Sequence, residues 1–127
     1  FINLQYGNVG KEIKEYCADK DNVFIYAEEE IVPLEDLDDF AAQISALDLI
    51  ISTSNTTVHM AGALGKDVWT LLPHIPDWRW MLNREDTLWY PKMKLFRQHE
   101  IGNWPGVFSK VEVALEQYVT ESENWEF

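Results

Sequence analysis

Short apolar runs recur along this chain, separated by stretches in which apolar residues return every three or four positions. Ile2 to Gln5 reads as a strand stopped at Gly7, and Val23 to Ala27 as a second strand. Between them Val9, Ile13, Tyr16 and Cys17 fall at helical spacing. Ile31 to Leu34 predicts a short third strand. Leu37, Phe40, Ala41, Ile44 and Leu47 mark an amphipathic helix, with Asp36 placed to cap it. Asp48 to Ser52, "DLIIS", is apolar on successive residues, the pattern of a strand covered on both faces. The next helix, Thr56 to Leu64, ends at Gly65, a residue suited to a left-handed terminator. Val68 to Leu72 and Lys94 to Arg97 complete the strands. Pro105 suits the first turn of a closing helix whose face is Val107, Val111, Leu115 and Tyr118.

Strands alternating with helices predict an α/β fold, a mostly parallel sheet with helices on both faces. The expected domain spans residues 1–119, and the polar tail 120–127, "TESENWEF", is expected to fray. Sheets of this kind bind ligands at the carboxyl ends of their strands.

Composition narrows the function classes. The chain has 127 residues, 46% of them apolar and 25% charged, enough for one domain with a core. Asp and Glu number 22 against 10 Lys and Arg, a net charge of −12 that repels nucleic acid. No apolar run reaches the roughly 18 residues of a membrane span. One cysteine, Cys17, forms no internal disulfide and reads as a buried thiol in a reducing, cytoplasmic setting. The chain opens without Met on "FINLQYG", so it reads as a domain of a longer protein.

Two segments exceed a minimal α/β domain. Glu28 to Asp39 holds Glu28, Glu29, Glu30, Glu35, Asp36, Asp38 and Asp39, in no metal-loop spacing, and reads as solvated loop and helix start. "PHIPDWRWMLNREDTLWYPKM" has no clear period, and loops of that length are usually functional or disordered. Trp78, Trp80, Trp89 and Tyr90 argue against disorder. They either pack the loop onto the sheet edge or wall a cleft or domain interface.

The candidate chemistry lies where "DLIIS" ends. "TSN" turns the chain into the helix at Thr56, whose first N–H groups have no intrahelical partner and carry partial positive charge. A phosphate fits there without a lysine. Ser54, Asn55, Thr56 and Thr57 add donors, His59 follows in the first turn, and Ala61, Gly62 and Ala63 keep the helix slim. "GALGKD" lacks the spacing of a phosphate loop. His59, His74 and His99 are too scattered for a metal set. A phospho-receiver domain would need Asp where Ser52 stands.

The stretch Asp48 to Gln98 resembles the C-terminal glycosyltransferase-like domain of bacterial tetratricopeptide-repeat proteins. More distantly it is similar to heptosyltransferases and O-linked N-acetylglucosamine transferases. "FINLQYG" and "LEDLDDFAAQISALD" resemble the opening strand and second helix of the same domain. The resemblance implies a Rossmann-like three-layer sandwich, the second half of a GT-B fold, holding a nucleotide diphosphate sugar. It implies that "TTVH", Thr56 to His59, binds the donor diphosphate. Gln5, Tyr6 and Gly7 are then expected to reach the same cleft, with Pro73 and His74 beside the diphosphate and sugar. Ser54 stands where heptosyltransferases carry Asp. The implied activity is metal-independent inverting glycosyl transfer without a cofactor. Its general base is expected on an upstream acceptor domain, His59 being the candidate catalytic group in this region. The other reading is a non-catalytic interaction module of a tetratricopeptide-repeat protein.

Overall fold

The computed structural model describes residues 1–123 and has an α/β architecture with parallel strands. It divides into two compact units, Phe1–Leu47 and the chain from Asp48 onward. Each is described by itself.

In the first unit, β1 (Ile2–Asn3) pairs in parallel with β2 (Tyr26–Ala27). The Phe1 amino group donates to the Phe24 carbonyl at 2.8 Å and extends this short pairing. Between the strands lies α1 (Gly10–Cys17), and α2 (Leu37–Ser45) follows them. Asp36 caps α2 as its position predicts, its carboxylate accepting from the Asp38 and Asp39 N–H groups at 3.0 Å each. Phe40 and Ile44, one turn apart, are the buried residues of that helix.

Two expectations are corrected here. Ile31 to Leu34 is not a strand but a turn, in which the Val32 carbonyl accepts from Glu35 and Asp36. Pro33 has no N–H to give a ladder, which accounts for the difference. Cys17 is half-buried, not enclosed, because α1 buries no residue fully.

The second unit is a parallel sheet of three strands in the order β3 (Leu49–Thr53), β4 (Asp67–Leu72), β5 (Met93–Arg97). Thr53 lies opposite Leu71, and Leu72 opposite Arg97, so the three carboxyl ends share one edge. The crossover α3 (Thr56–Ala63) packs on β3 and β4. It ends as the sequence predicts: Gly65 has φ +71°, its N–H bonds the Gly62 carbonyl, and Lys66 N–H bonds that of Ala61. The closing helix α4 (Trp104–Glu123) presents Val107 and Val111 to Trp69 and Leu71 of β4 and Phe96 of β5. Val68, Thr70 and Leu72 alternate with Trp69 and Leu71, so they point to the other face, where α3 buries Val58 and Ala61. Helix, sheet and helix thus form three layers in this unit. The helix continues past residue 119 through Glu123, with the Thr120 and Ser122 hydroxyls bonded to the Glu116 and Val119 carbonyls. The rest of the expected tail, 124–127, lies outside the described residues.

The connection from β4 to β5 holds one 3-10 turn, Trp78–Trp80, and is otherwise irregular yet closely tied. The Arg97 guanidinium donates to the carbonyls of Arg84 at 2.8 Å and Met81 at 3.0 Å, and to that of Trp80. Trp89 Nε1 donates to the Arg79 carbonyl at 3.1 Å. Trp80 is 1% exposed, whereas Trp78 is 75% exposed. The loop therefore packs inward at Trp80 and leaves Trp78, two positions earlier, exposed.

Candidate functional site

At the carboxyl edge of β3 the chain leaves the sheet through Ser54 and enters α3 by way of Asn55. Asn55 is extended, and its Oδ1 accepts the Val58 N–H at 3.3 Å while its Nδ2 donates to Ser52 Oγ at 2.9 Å. This cap takes up Val58. Helix geometry leaves the Thr56 and Thr57 N–H groups without intrahelical partners, at the positive end of the helix dipole. Thr56 is exposed and Thr57 half-buried.

One turn along, His59 is held from two sides by the loop between β4 and β5. Its ring stacks on Trp80 at 5.2 Å and 19°, and meets Tyr90 edge-on at 5.8 Å. His59 Nδ1 and the Tyr90 hydroxyl form a hydrogen bond of 3.0 Å. Trp80 Nε1 donates to Ser54 Oγ at 2.8 Å, so one indole joins the strand end to the helix. Gly62 lets Tyr90 approach: a Cβ at that position would lie 2.5 Å from Tyr90 Cγ. Ser54, Asn55, Thr56, Thr57 and His59 therefore form one constellation walled by Trp80 and Tyr90.

Burial, and then the nearby Arg79 charge, hold the His59 imidazole below its ordinary pKa of 6.5; Asp77 opposes them. The folded state thus favours neutral His59. The stability this contributes is complete above the unfolded value and is lost as pH falls through it toward the depressed folded value. His59→Gln is expected to flatten that part of the stability-versus-pH curve, measured by urea denaturation of both chains. Identical pH dependence in the two would show that His59 titrates as a free imidazole.

The other predicted positions sit differently. Pro73 and His74 follow β4 at the same sheet edge, but His74 is turned toward β5. Its N–H donates to Gln98 Oε1 at 3.1 Å, and its Nδ1 lies 3.3 Å from the Gln98 carbonyl. No hydrogen bond among the described residues joins it to the α3 constellation. Gln5, Tyr6 and Gly7 belong to the first unit, all exposed; Gln5 N–H bonds Asn3 Oδ1, and Gly7 turns the chain with φ +97°. Among the described residues no three His, Cys, Asp or Glu side chains are grouped to hold a metal ion. No helix among them is long and apolar enough to cross a membrane.

Sequence reasoning missed the roles of Trp80, Tyr90 and Arg97. The aromatic density of the loop was a signal for the first two, though not for their partners. Arg97 looked like any strand-end arginine, and nothing local marks the three carbonyls it gathers.

No family model matches the chain, and no solved structure does. The chain is similar to Protein FlbA of Caulobacter vibrioides, with 36% identity over 118 residues. That match covers 93% of this chain but 19% of FlbA, so the chain spans about a fifth of the relative's length.

Proposed function

We propose that this chain is the nucleotide-sugar-binding half of a metal-independent inverting glycosyltransferase. The observation that carries the reading is the α3 N-terminus at the carboxyl edge of a parallel sheet, with Ser54, Thr56 and Thr57 beside it and His59 held by Trp80 and Tyr90. Two backbone N–H groups, with the hydroxyl-bearing Ser54, Thr56 and Thr57 next to them in the chain, mark a place where the helix dipole favours a diphosphate. The same donors would stabilise charge building on a leaving diphosphate, an electrostatic role that needs no proton transfer from this unit. The reading is supported by the resemblance of Asp48 to Gln98 to GT-B donor domains. It brings with it an upstream acceptor domain, tetratricopeptide repeats and a cytoplasmic setting with Cys17 reduced. FlbA is long enough beyond the matched 19% to hold such parts.

The test is titration of the isotope-labelled chain with UDP, ADP and GDP, followed by amide shifts. Binding is expected with a dissociation constant on the order of 0.1–1 mM, with shifts from Ser54 to His59. EDTA should leave it unchanged, and joint Thr56→Ala and Thr57→Ala changes should weaken it about tenfold, roughly 1.4 kcal/mol. No shift at millimolar nucleotide, or shifts on another surface alone, would remove the donor-site reading. A non-catalytic docking module would then stand, a reading favoured by exposed Trp78, Leu82, Leu88 and Trp89 on the same loop.

A further inference from the structure

A concave surface lies beside β5, with no residue of α3 in its lining. It is an open groove of about 970 Å³ between the outer side of β5, residues 82–85 and one face of α4. Its charge is opposite to that of the chain. Acidic residues outnumber basic ones 22 to 10 overall, yet Arg84, Lys94, Arg97 and Lys110 line the groove against a single carboxylate, Glu85. Arg84 is neutralised by a paired contact with Asp86 outside the lining, at 2.6 and 2.9 Å. The other three cations have no carboxylate within ion-pair distance among the described residues. Lys94 lies over the Phe96 ring at 5.2 Å, Arg97 holds main-chain carbonyls, and Lys110 Nζ meets His99 Nε2.

We propose that this groove binds an extended acidic peptide segment that also carries apolar side chains. Two observations select that occupant. The cations call for carboxylates, and the exposed Leu82 and Val113 among them call for apolar groups, a mixture that an inorganic anion does not match. Along α4 the lining runs from Ser109 to Gln117, about 12 Å at helical rise, room for three or four extended residues. The outer side of β5 already accepts extended chain at one point, where Asp86 bridges Lys94 antiparallel and the Leu95 N–H donates to the Glu85 carbonyl at 2.7 Å. The Tyr90 carbonyl likewise accepts the Met93 N–H, so the chain's own loop takes these outer donors of β5 and the peptide lies along α4 rather than adding a strand. Nucleic acid is disfavoured by the −12 field of the whole chain.

The experiment is fluorescence anisotropy of a labelled peptide of sequence Glu-Val-Asp-Leu-Glu-Val-Asp with the full chain, at low and at physiological salt. Binding is expected on the order of 10–100 µM at low salt, weakening several-fold as salt screens the charges. Lys94→Glu with Lys110→Glu should weaken it at least about tenfold, since charges at an interface rim steer and hold a complementary partner. Both lysines are exposed, and circular dichroism checks that the double variant keeps its fold. Lys11→Glu with Lys14→Glu, on α1 in the other unit, should change nothing. A peptide with Ser in place of Val and Leu should bind several-fold more weakly. Failure of the peptide to bind, or unchanged binding by the groove variant, overturns the proposal. So does equal binding of the Ser peptide, or equal competition by pyrophosphate or heparin, since either would mark a general anion surface.

Discussion

Trp80→Ala is expected to destabilise the protein by about 3–5 kcal/mol, the range for truncating a fully buried aromatic. Trp80 is 1% exposed, and its loss removes three things together. The ring's packing volume goes, leaving a cavity that the surrounding sheet and loop fill only in part. The stack that supports His59 at 5.2 Å goes with it. The hydrogen bond to Ser54 Oγ is also lost, though Ser54 is exposed and water can replace that partner. Trp80→Phe separates these contributions, because it keeps a ring over His59 and drops the N–H. Its expected cost is smaller, about 1–2 kcal/mol from one hydrogen bond and a modest volume change. Urea denaturation followed by far-ultraviolet circular dichroism gives both numbers. A cost below about 1 kcal/mol for the Ala variant would show that the loop does not depend on this anchor. Under the proposed function, nucleotide affinity should fall in the Ala variant more than in the Phe variant, because only the Ala variant removes the ring stacked on His59 and leaves it to Tyr90 alone.

Arg97→Met has the second largest expected effect, about 3 kcal/mol. Hydrogen bonds from a charged donor contribute roughly 1.5–3 kcal/mol each, but these three share one guanidinium and a loop that can rehydrate, so they do not add. The guanidinium gathers carbonyls from positions 80, 81 and 84, the part of the loop where the backbone is least relaxed. Met81 has φ 54° and ψ −166°, and Asn83 has φ 56°, conformations that side-chain-bearing residues seldom adopt. Arg97 therefore holds a strained turn, and burial, followed by the nearby Arg84 charge, lowers its pKa. Lys at this position keeps the charge but not the planar fork, so Arg97→Lys should recover less than half of the loss. Limited proteolysis supplies the independent readout. Cleavage between Met81 and Trp89 should accelerate in Arg97→Met and leave the rest of the chain as it was. Unchanged cleavage there, with unchanged stability, would show that the loop is held by its aromatic residues alone.

The features legible in the sequence are those decided within a turn or two of chain. Asp36 caps α2 and Gly65 closes α3 because a cap joins residues two to five positions apart. Val107 and Val111 face the core because helical period alone puts them on one side. The polar turn at Ser54 to Thr57 was legible as the point where a strand's apolar run gives way to a helix. Ile31 to Leu34 has the apolar content of a strand but forms a turn, because Pro33 has no N–H to give a ladder. What surrounds the turn was settled only by the tertiary path of the β4–β5 connection. Trp80 meets Ser54 across 26 positions, Tyr90 meets His59 across 31, and Arg97 reaches Trp80 across 17. Composition marks Trp78, Trp80 and Trp89 alike, yet the first and third are exposed and Trp80 is buried. The difference lies in which residue the loop carries over α3, where Gly62 leaves room for Tyr90 beside it. Periodicity records which face of an element is apolar. It does not record which distant segment will cover that face, since that depends on packing and hydrogen bonds that exist only once the sheet has assembled.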